Sequence, residues 1–206
     1  MDTTVPHTSA AASAAPAGPH VDQRLVVHGV SWKDYVVLRE LLDSPGLRMT
    51  YFKGALELMT PSPLHERLKK TIARLIEVYA LERDVPLYGY GSTTFRREAR
   101  ERGLEPDECY VVGAELRDAP EIALEVVLTS GGLDKLPVYA GIGVREVWFF
   151  EDGAFHLHEL RGGEYEQIAS SNLVPGLDFE LVAGLARRAD QHEAVKEFRD
   201  TLRLAR

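Results

Sequence analysis

The chain is poor in cysteine, in long apolar runs and in positive charge. A single Cys, Cys109, excludes an internal disulfide, and the composition suits a reducing cytoplasm. Two residues after Asp107 on an expected strand, that thiol reads as a small buried side chain, because no partner His is placed to activate it. No stretch approaches the ~18 consecutive apolar residues of a membrane span. Lys and Arg number 24 against 32 Asp and Glu, a formal net charge of -8, which excludes a passive nucleic-acid coat held by many phosphate contacts. An enzyme needs only a local basic path to meet a polyanion, and Arg96, Arg97, Arg100 and Arg102 form one, diluted by Glu98 and Glu101. Lys and Arg are absent before Arg24, so the Ala-rich start lacks the charged opening of a secretory signal. Its small, Pro-bearing composition cannot bury enough apolar surface to order itself. Residues 1–22 are therefore expected to be a disordered tail, and 23–206 a single domain.

What the sequence does hold is concentrated in its middle. Pro106-Asp107 is followed by Glu125, inside the apolar run from Glu121 to Thr129, and by Lys135 just beyond Gly131-Gly132. On a strand, Glu121, Ala123, Glu125, Val127 and Thr129 share one face, while Ile122, Leu124, Val126 and Leu128 share the other. The second face is wholly apolar and must be core, so Glu125 is carried into burial and needs a cation or donors to stay ionised. Two carboxylates supply the hard oxygens that a magnesium-like ion requires. An ammonium can assist an attacking water or neutralise developing phosphorane charge. The combination points to metal-assisted phosphodiester hydrolysis.

The hydrophobic periodicity predicts a helix opening at Ser31, with Tyr35, Leu38, Leu41 and Leu42 on one side and a stop at Asp43-Ser-Pro-Gly46. A hairpin follows over 47–60, turning at Lys53-Gly54. Ser62 and Pro63 then cap a long helix whose stripe is Leu64, Leu68, Ile72, Leu75, Ile76 and Tyr79, with Arg67, Lys69, Lys70, Arg74 and Glu77 facing out. Strands are expected over 87–97, 107–112 and 121–129. A helix from about Asp134 to Gly141-Ile-Gly143 leads to a strand over 144–150. A hairpin around Gly162-Gly163 and a helix over 190–204 close the chain. The expected fold is α/β: a mixed sheet flanked by helices, in the order helix, three strands, helix, strand, with an N-terminal helix and hairpin and a C-terminal hairpin and helix.

That order, with an Asp opening the second core strand and a Glu within the third, resembles the restriction-endonuclease-like core of the PD-(D/E)XK nuclease superfamily. More closely, the chain resembles the Uma-type restriction-endonuclease family. The similarity rests on Leu58-Met-Thr-Pro-Ser-Pro-Leu-His65, Glu105-Pro-Asp-Glu108, Glu125-Val-Val-Leu-Thr-Ser130, Asp134-Lys-Leu-Pro-Val-Tyr139, Gly143-Val-Arg-Glu-Val-Trp148 and Leu173-Val-Pro-Gly-Leu-Asp178. In the superfamily the lysine lies two residues after the Glu, where this chain has Val127; the resemblance implies that Lys135 has taken over the role. It further implies Asp107 and Glu125 as metal ligands with the Val126 carbonyl, Lys135 at the water, Mg²⁺ as cofactor with Mn²⁺ as substitute, and DNA as substrate. A homodimer would suit a nuclease that cuts two strands.

Three further residues carry second weight: Glu57 as an added carboxylate, His65 as a contact to substrate phosphate or to the 60–62 loop, and Tyr139 as a hydroxyl orienting Lys135. Gly141-Ile-Gly143 lacks the third glycine and the strand-to-helix setting of a dinucleotide loop. Gly131-Gly132 lacks the lysine-serine ending of a phosphate loop. His156 and His158 alternate on one strand face without a third ligand nearby. Two other functions compete with the endonuclease. One is a nuclease-fold binding or regulatory module with weak or no turnover. The other is a glycoside hydrolase using Asp107 and Glu125 as acid and base, which leaves Lys135 without a role.

Overall fold

Two sheets carry the chain where the sequence pattern suggests one. The computed structural model describes residues 21–42, 44, 46–98, 101–113 and 118–205. Residues 1–20 of the expected tail, Asp43 and Pro45 of the expected helix stop, and Arg100 lie outside the described residues. Order within the described part begins earlier than the pattern suggested, with strand β1 (Gln23–His28) preceding helix α1 (Trp32–Leu41), whose N-cap is Ser31. Strands β2 (Arg48–Phe52) and β3 (Ala55–Thr60) form the expected hairpin. Its two turn residues, Lys53 and Gly54, have φ of 45° and 89°, the positive pair that a two-residue hairpin turn requires.

Helix α2 (Pro63–Glu82) starts where Ser62 and Pro63 predicted, the Ser62 hydroxyl accepting from the His65 N–H. After it, the expected strand over 87–97 divides. Strand β4 (Leu87–Gly89) joins one sheet, while β5 (Phe95–Arg97) joins the other together with β6 (Arg102–Leu104), which the pattern did not reveal. Then come β7 (Glu108–Val112), β8 (Ile122–Val127), α3 (Leu136–Ile142), β9 (Glu146–Glu151), β10 (Ala154–Arg161), β11 (Glu164–Ile168), α4 (Phe179–Ala186) and α5 (Gln191–Leu204). Helix α4 was also absent from the sequence reading.

The small sheet has the order β1-β3-β2-β6-β5 and the large one β11-β10-β9-β8-β7-β4. Among the described residues the strand pairings are antiparallel except β8 with β9, and α3 makes the crossover between those two parallel strands. The large sheet is therefore the expected mixed sheet, with α2, α4 and α5 on one face and α3 with part of the small sheet on the other.

The alternation read from the sequence holds. Ile122, Leu124 and Val126 pack with Leu68, Ile72, Leu75 and Ile76 of α2, whereas Ala123 packs with Val138, Tyr139 and Ile142 of α3. Burying a side chain such as Ile72 or Leu75, each 0% exposed, contributes about 1.5–3 kcal/mol. Helix α1 covers the outer face of the small sheet through Tyr35, which packs with Met49, Tyr51 and Leu56. Three side chains depart from expectation: Leu41 and Leu42 at the end of α1 are exposed, and Lys69 of α2 is buried.

Candidate active site

Glu125 is inserted near the end of β8, facing α3. Lys135, the N-cap of α3, and Tyr139 are four residues apart, so the helix repeat stacks them on one side. Both reach the same carboxylate: the Lys135 Nζ donates to Oε2 at 2.6 Å, and the Tyr139 hydroxyl donates to Oε1. Glu125 is 1% exposed. Burial raises its pKa, the Lys135 ammonium opposes that, and the neighbouring Asp107 carboxylate adds to it, leaving a net rise. Burial alone would lower the Lys135 pKa, but Glu125 and Asp107 outweigh it and the amine stays protonated. Tyr139 is held neutral, its pKa well above the ordinary value through burial and the Glu125 charge.

Asp107 immediately precedes β7. The β7–β8 register pairs Glu108 with Leu124, so one step further along the antiparallel ladder Asp107 faces Glu125. Its Oδ2 accepts from the Val126 N–H at 2.8 Å, which is how Val126 enters the site here. Its Oδ1 lies 3.0 Å from Nε2 of His65, an ion-pair contact whose angle falls short of a directed hydrogen bond. The other ring nitrogen, Nδ1, is 3.0 Å from Oδ2 of Asp22, and Oδ1 of Asp22 accepts from the Ser62 N–H at 2.7 Å. Burial would depress the pKa of His65, but the two flanking carboxylates raise it to about 9. Burial would raise that of Asp107, but His65, Lys135 and the Val126 N–H bring it down to about 2. The site thus holds two buried carboxylates, each with its own internal cation.

Glu57, on β3, is 1% exposed. Its Oε2 accepts from the Leu133 N–H at 2.7 Å and lies 3.4 Å from Arg24 of β1. This pair fills the space beside Gly132, where a Cβ would come within 2.8 Å of the Arg24 Cζ. A Cβ there would displace the Arg24 and Glu57 side-chain ends, so glycine lets the loop carrying Lys135 lie against the small sheet.

Of the expected basic path, Arg97 on β5 stands opposite Arg102 on β6. Arg96 is exposed and Arg97 half-buried on β5, and the Arg102 guanidinium lies over the Phe52 ring, 5.2 Å from its centroid. Asp22, Arg24 and the burial of Lys69 were missed by the sequence reading. Asp22 was assigned to the tail, and a polar residue bordering a low-complexity segment offers no periodic signal that could have recovered it.

The oxygen donors of Asp107 and Glu125 fit a hard divalent cation in kind. Among the described residues no group of three or more His, Cys, Asp and Glu is placed to hold an ion.

Residues 32–189 match the family described as Uma2, "Putative restriction endonuclease", and the chain belongs to that family. Among solved structures, it is similar to the crystal structure of "a putative nuclease belonging to DUF820" from Anabaena variabilis ATCC 29413. The two share 13% sequence identity, with a TM-score of 0.50 over 80% of this chain and 98% of that one. At that identity the likeness establishes the restriction-endonuclease-like fold. No curated protein matches the chain.

Proposed function

We propose that this member of the Uma2 family is a divalent-metal-dependent endonuclease that hydrolyses phosphodiester bonds of DNA. The observation that carries the reading is the convergence of Asp107, Glu125 and Lys135 from two adjacent strands and the helix that follows them. Asp107, Glu125 and the Val126 carbonyl would hold Mg²⁺, or Mn²⁺ in its place. When bound, the ion supplies Lewis-acid polarisation of the phosphate and a lowered pKa for an attacking water. Lys135, on leaving Glu125, brings a compact positive charge to the phosphate and the incoming hydroxide. Tyr139 keeps Glu125 oriented, and Asp22 with His65 does the same for Asp107. Arg96, Arg97 and Arg100 would meet the DNA backbone. The lone buried thiol favours the cytoplasm, and a homodimer would allow cuts in both strands.

A second reading, a nuclease-fold binding module with little turnover, is favoured by the closure of the site: Asp107 and Glu125 are each 1% exposed, and their charges are already matched internally. Cleavage of plasmid and single-stranded DNA with Mg²⁺ or Mn²⁺ separates the two. Cutting that chelation stops, and that Asp107→Asn and Glu125→Gln abolish, is the expected result. Absent or metal-independent cutting would remove the endonuclease reading.

A further inference from the structure

The small sheet turns a polar face inward. In the register of β1, β3 and β2, Arg24, Met59 and Arg48 form one row, and Val26, Glu57 and Thr50 the next. These residues share a face by strand alternation, the intervening Met49, Tyr51 and Leu56 being packed under α1. The face that presents Glu57 to the Lys135 loop therefore also presents Arg48, and it presents Arg48 to α2. There, Arg48 Nη2 lies 3.7 Å from Glu66 Oε1, and Lys69 Nζ lies 2.6 Å from Glu66 Oε2.

The burial of these three groups is unequal. The Arg48 and Lys69 side chains are 10% and 6% exposed, that of Glu66 40%. Two cations withdrawn from water thus share a carboxylate still open to it, a weak form of neutralisation because the solvated partner is screened and free to turn away. Arg48 also donates to the Ser92 hydroxyl at 3.0 Å and lies 3.9 Å from Glu105, yet its Nε is buried without a hydrogen-bond partner. Lys69 follows His65 by four residues, about 6 Å along the same face of α2, and His65 contacts Asp107. Lys69 therefore stands one helical turn from the histidine that contacts Asp107.

We propose that Arg48 and Lys69 form a binding subsite for a phosphate of the substrate strand flanking the scissile one, and that Glu66 occupies this subsite in the free protein. The identity of the occupant rests on the nuclease reading above. A phosphate brings more negative charge than a carboxylate and several acceptor oxygens, suited to the Arg48 fork and the Lys69 point charge together. On binding, Glu66 swings into solvent.

Anisotropy of a fluorescein-labelled single-stranded oligodeoxynucleotide, titrated with full-length protein in Ca²⁺ at several salt concentrations, tests this. Glu66→Gln removes the competing charge and should tighten binding several-fold. Lys69→Met and Arg48→Met should each weaken it by roughly tenfold and reduce the salt slope by about one. Glu66 is exposed enough for its variant to fold, so it decides the matter alone. Unchanged or weaker affinity for Glu66→Gln overturns the subsite and leaves a purely structural clamp, visible only as lower melting temperatures. The same holds if neither wild type nor Glu66→Gln binds the oligonucleotide. Wild-type binding with the expected variant pattern but no metal-dependent cleavage removes the endonuclease reading and retains the subsite. Cleavage with affinities indifferent to all three substitutions does the reverse.

Discussion

Glu57 and Leu133 stand 76 residues apart in the chain, and the Glu57 carboxylate accepts a 2.7 Å hydrogen bond from the Leu133 N–H. Through this bond the small sheet holds the loop between β8 and α3, and so fixes where Lys135 begins its helix. Glu57→Gln keeps an acceptor for Leu133 and should retain most activity. Glu57→Ala should lower turnover by up to ~10²-fold, the scale of a catalytic group misplaced by about 1 Å, with little change in Mn²⁺ affinity by calorimetry. A matching loss of metal affinity would make Glu57 a metal ligand instead.

Lys135→Ala should reduce DNA cleavage by ~10²-fold or more, because a well-placed cation at a phosphoryl transition state is worth that much. Metal binding should persist, since an ammonium cannot ligate Mg²⁺. Arg at this position should not fully rescue, its guanidinium being a planar fork where a compact charge is needed. Wild-type cutting rates in the Ala variant would take Lys135 out of the site.

Asp22→Asn should destabilise the fold by about 3 kcal/mol, the cost of breaking a buried charged pair on one side. That corresponds to a drop in melting temperature of roughly 6–12 °C. Truncation through Asp22 should reproduce it, because the Ser62 N–H and the His65 ring lose the same partner. An unaltered melting curve would show that the Asp22 contact contributes nothing.

The pH dependence of stability in chelator has a defined sign. His65 is raised from 6.5 to about 9, so its contribution is fully present below pH 6.5 and is lost as pH rises through about 9, by about 3 kcal/mol over that window. Asp107 is lowered from 3.8 to about 2, so its contribution is present above pH 3.8 and is lost as pH falls through about 2. Denaturant melts of wild type and His65→Gln should differ in slope between pH 6.5 and 9. Parallel curves would contradict the assignment.

Tyr139→Phe removes the hydroxyl that donates to Glu125 Oε1 while keeping the buried ring. The Glu125 pKa should move further up, and the acidic limb of the cleavage profile should move to higher pH with it. An unmoved acidic limb would show that this hydroxyl does not tune the carboxylate.

Where structure follows from local repetition, the sequence was sufficient. The α2 stripe from Leu68 to Tyr79, the Ser62 cap, the Lys53-Gly54 turn and the two faces of β8 each depend on neighbours a few residues away. Their periods of 3.6 and 2 are written in the order of the side chains. The same alternation placed Glu125 on the face that meets α3, and the helical spacing of Lys135 and Tyr139 was already four.

Tertiary structure alone decided which strand joined which sheet. Leu87 to Arg97 reads as one strand because β-propensity carries no partner, and only competition between two sheet edges divides it. It alone decided the fate of the buried polar residues as well. Asp22 looked like part of a tail because its counterion, His65, lies 43 residues away, and Lys69 looked like a solvated charge because the β2 residue that closes over its local partner Glu66, Arg48, is also remote in sequence. Periodicity records apolar burial, whereas a buried ion pair is stabilised by geometry that only the assembled fold supplies.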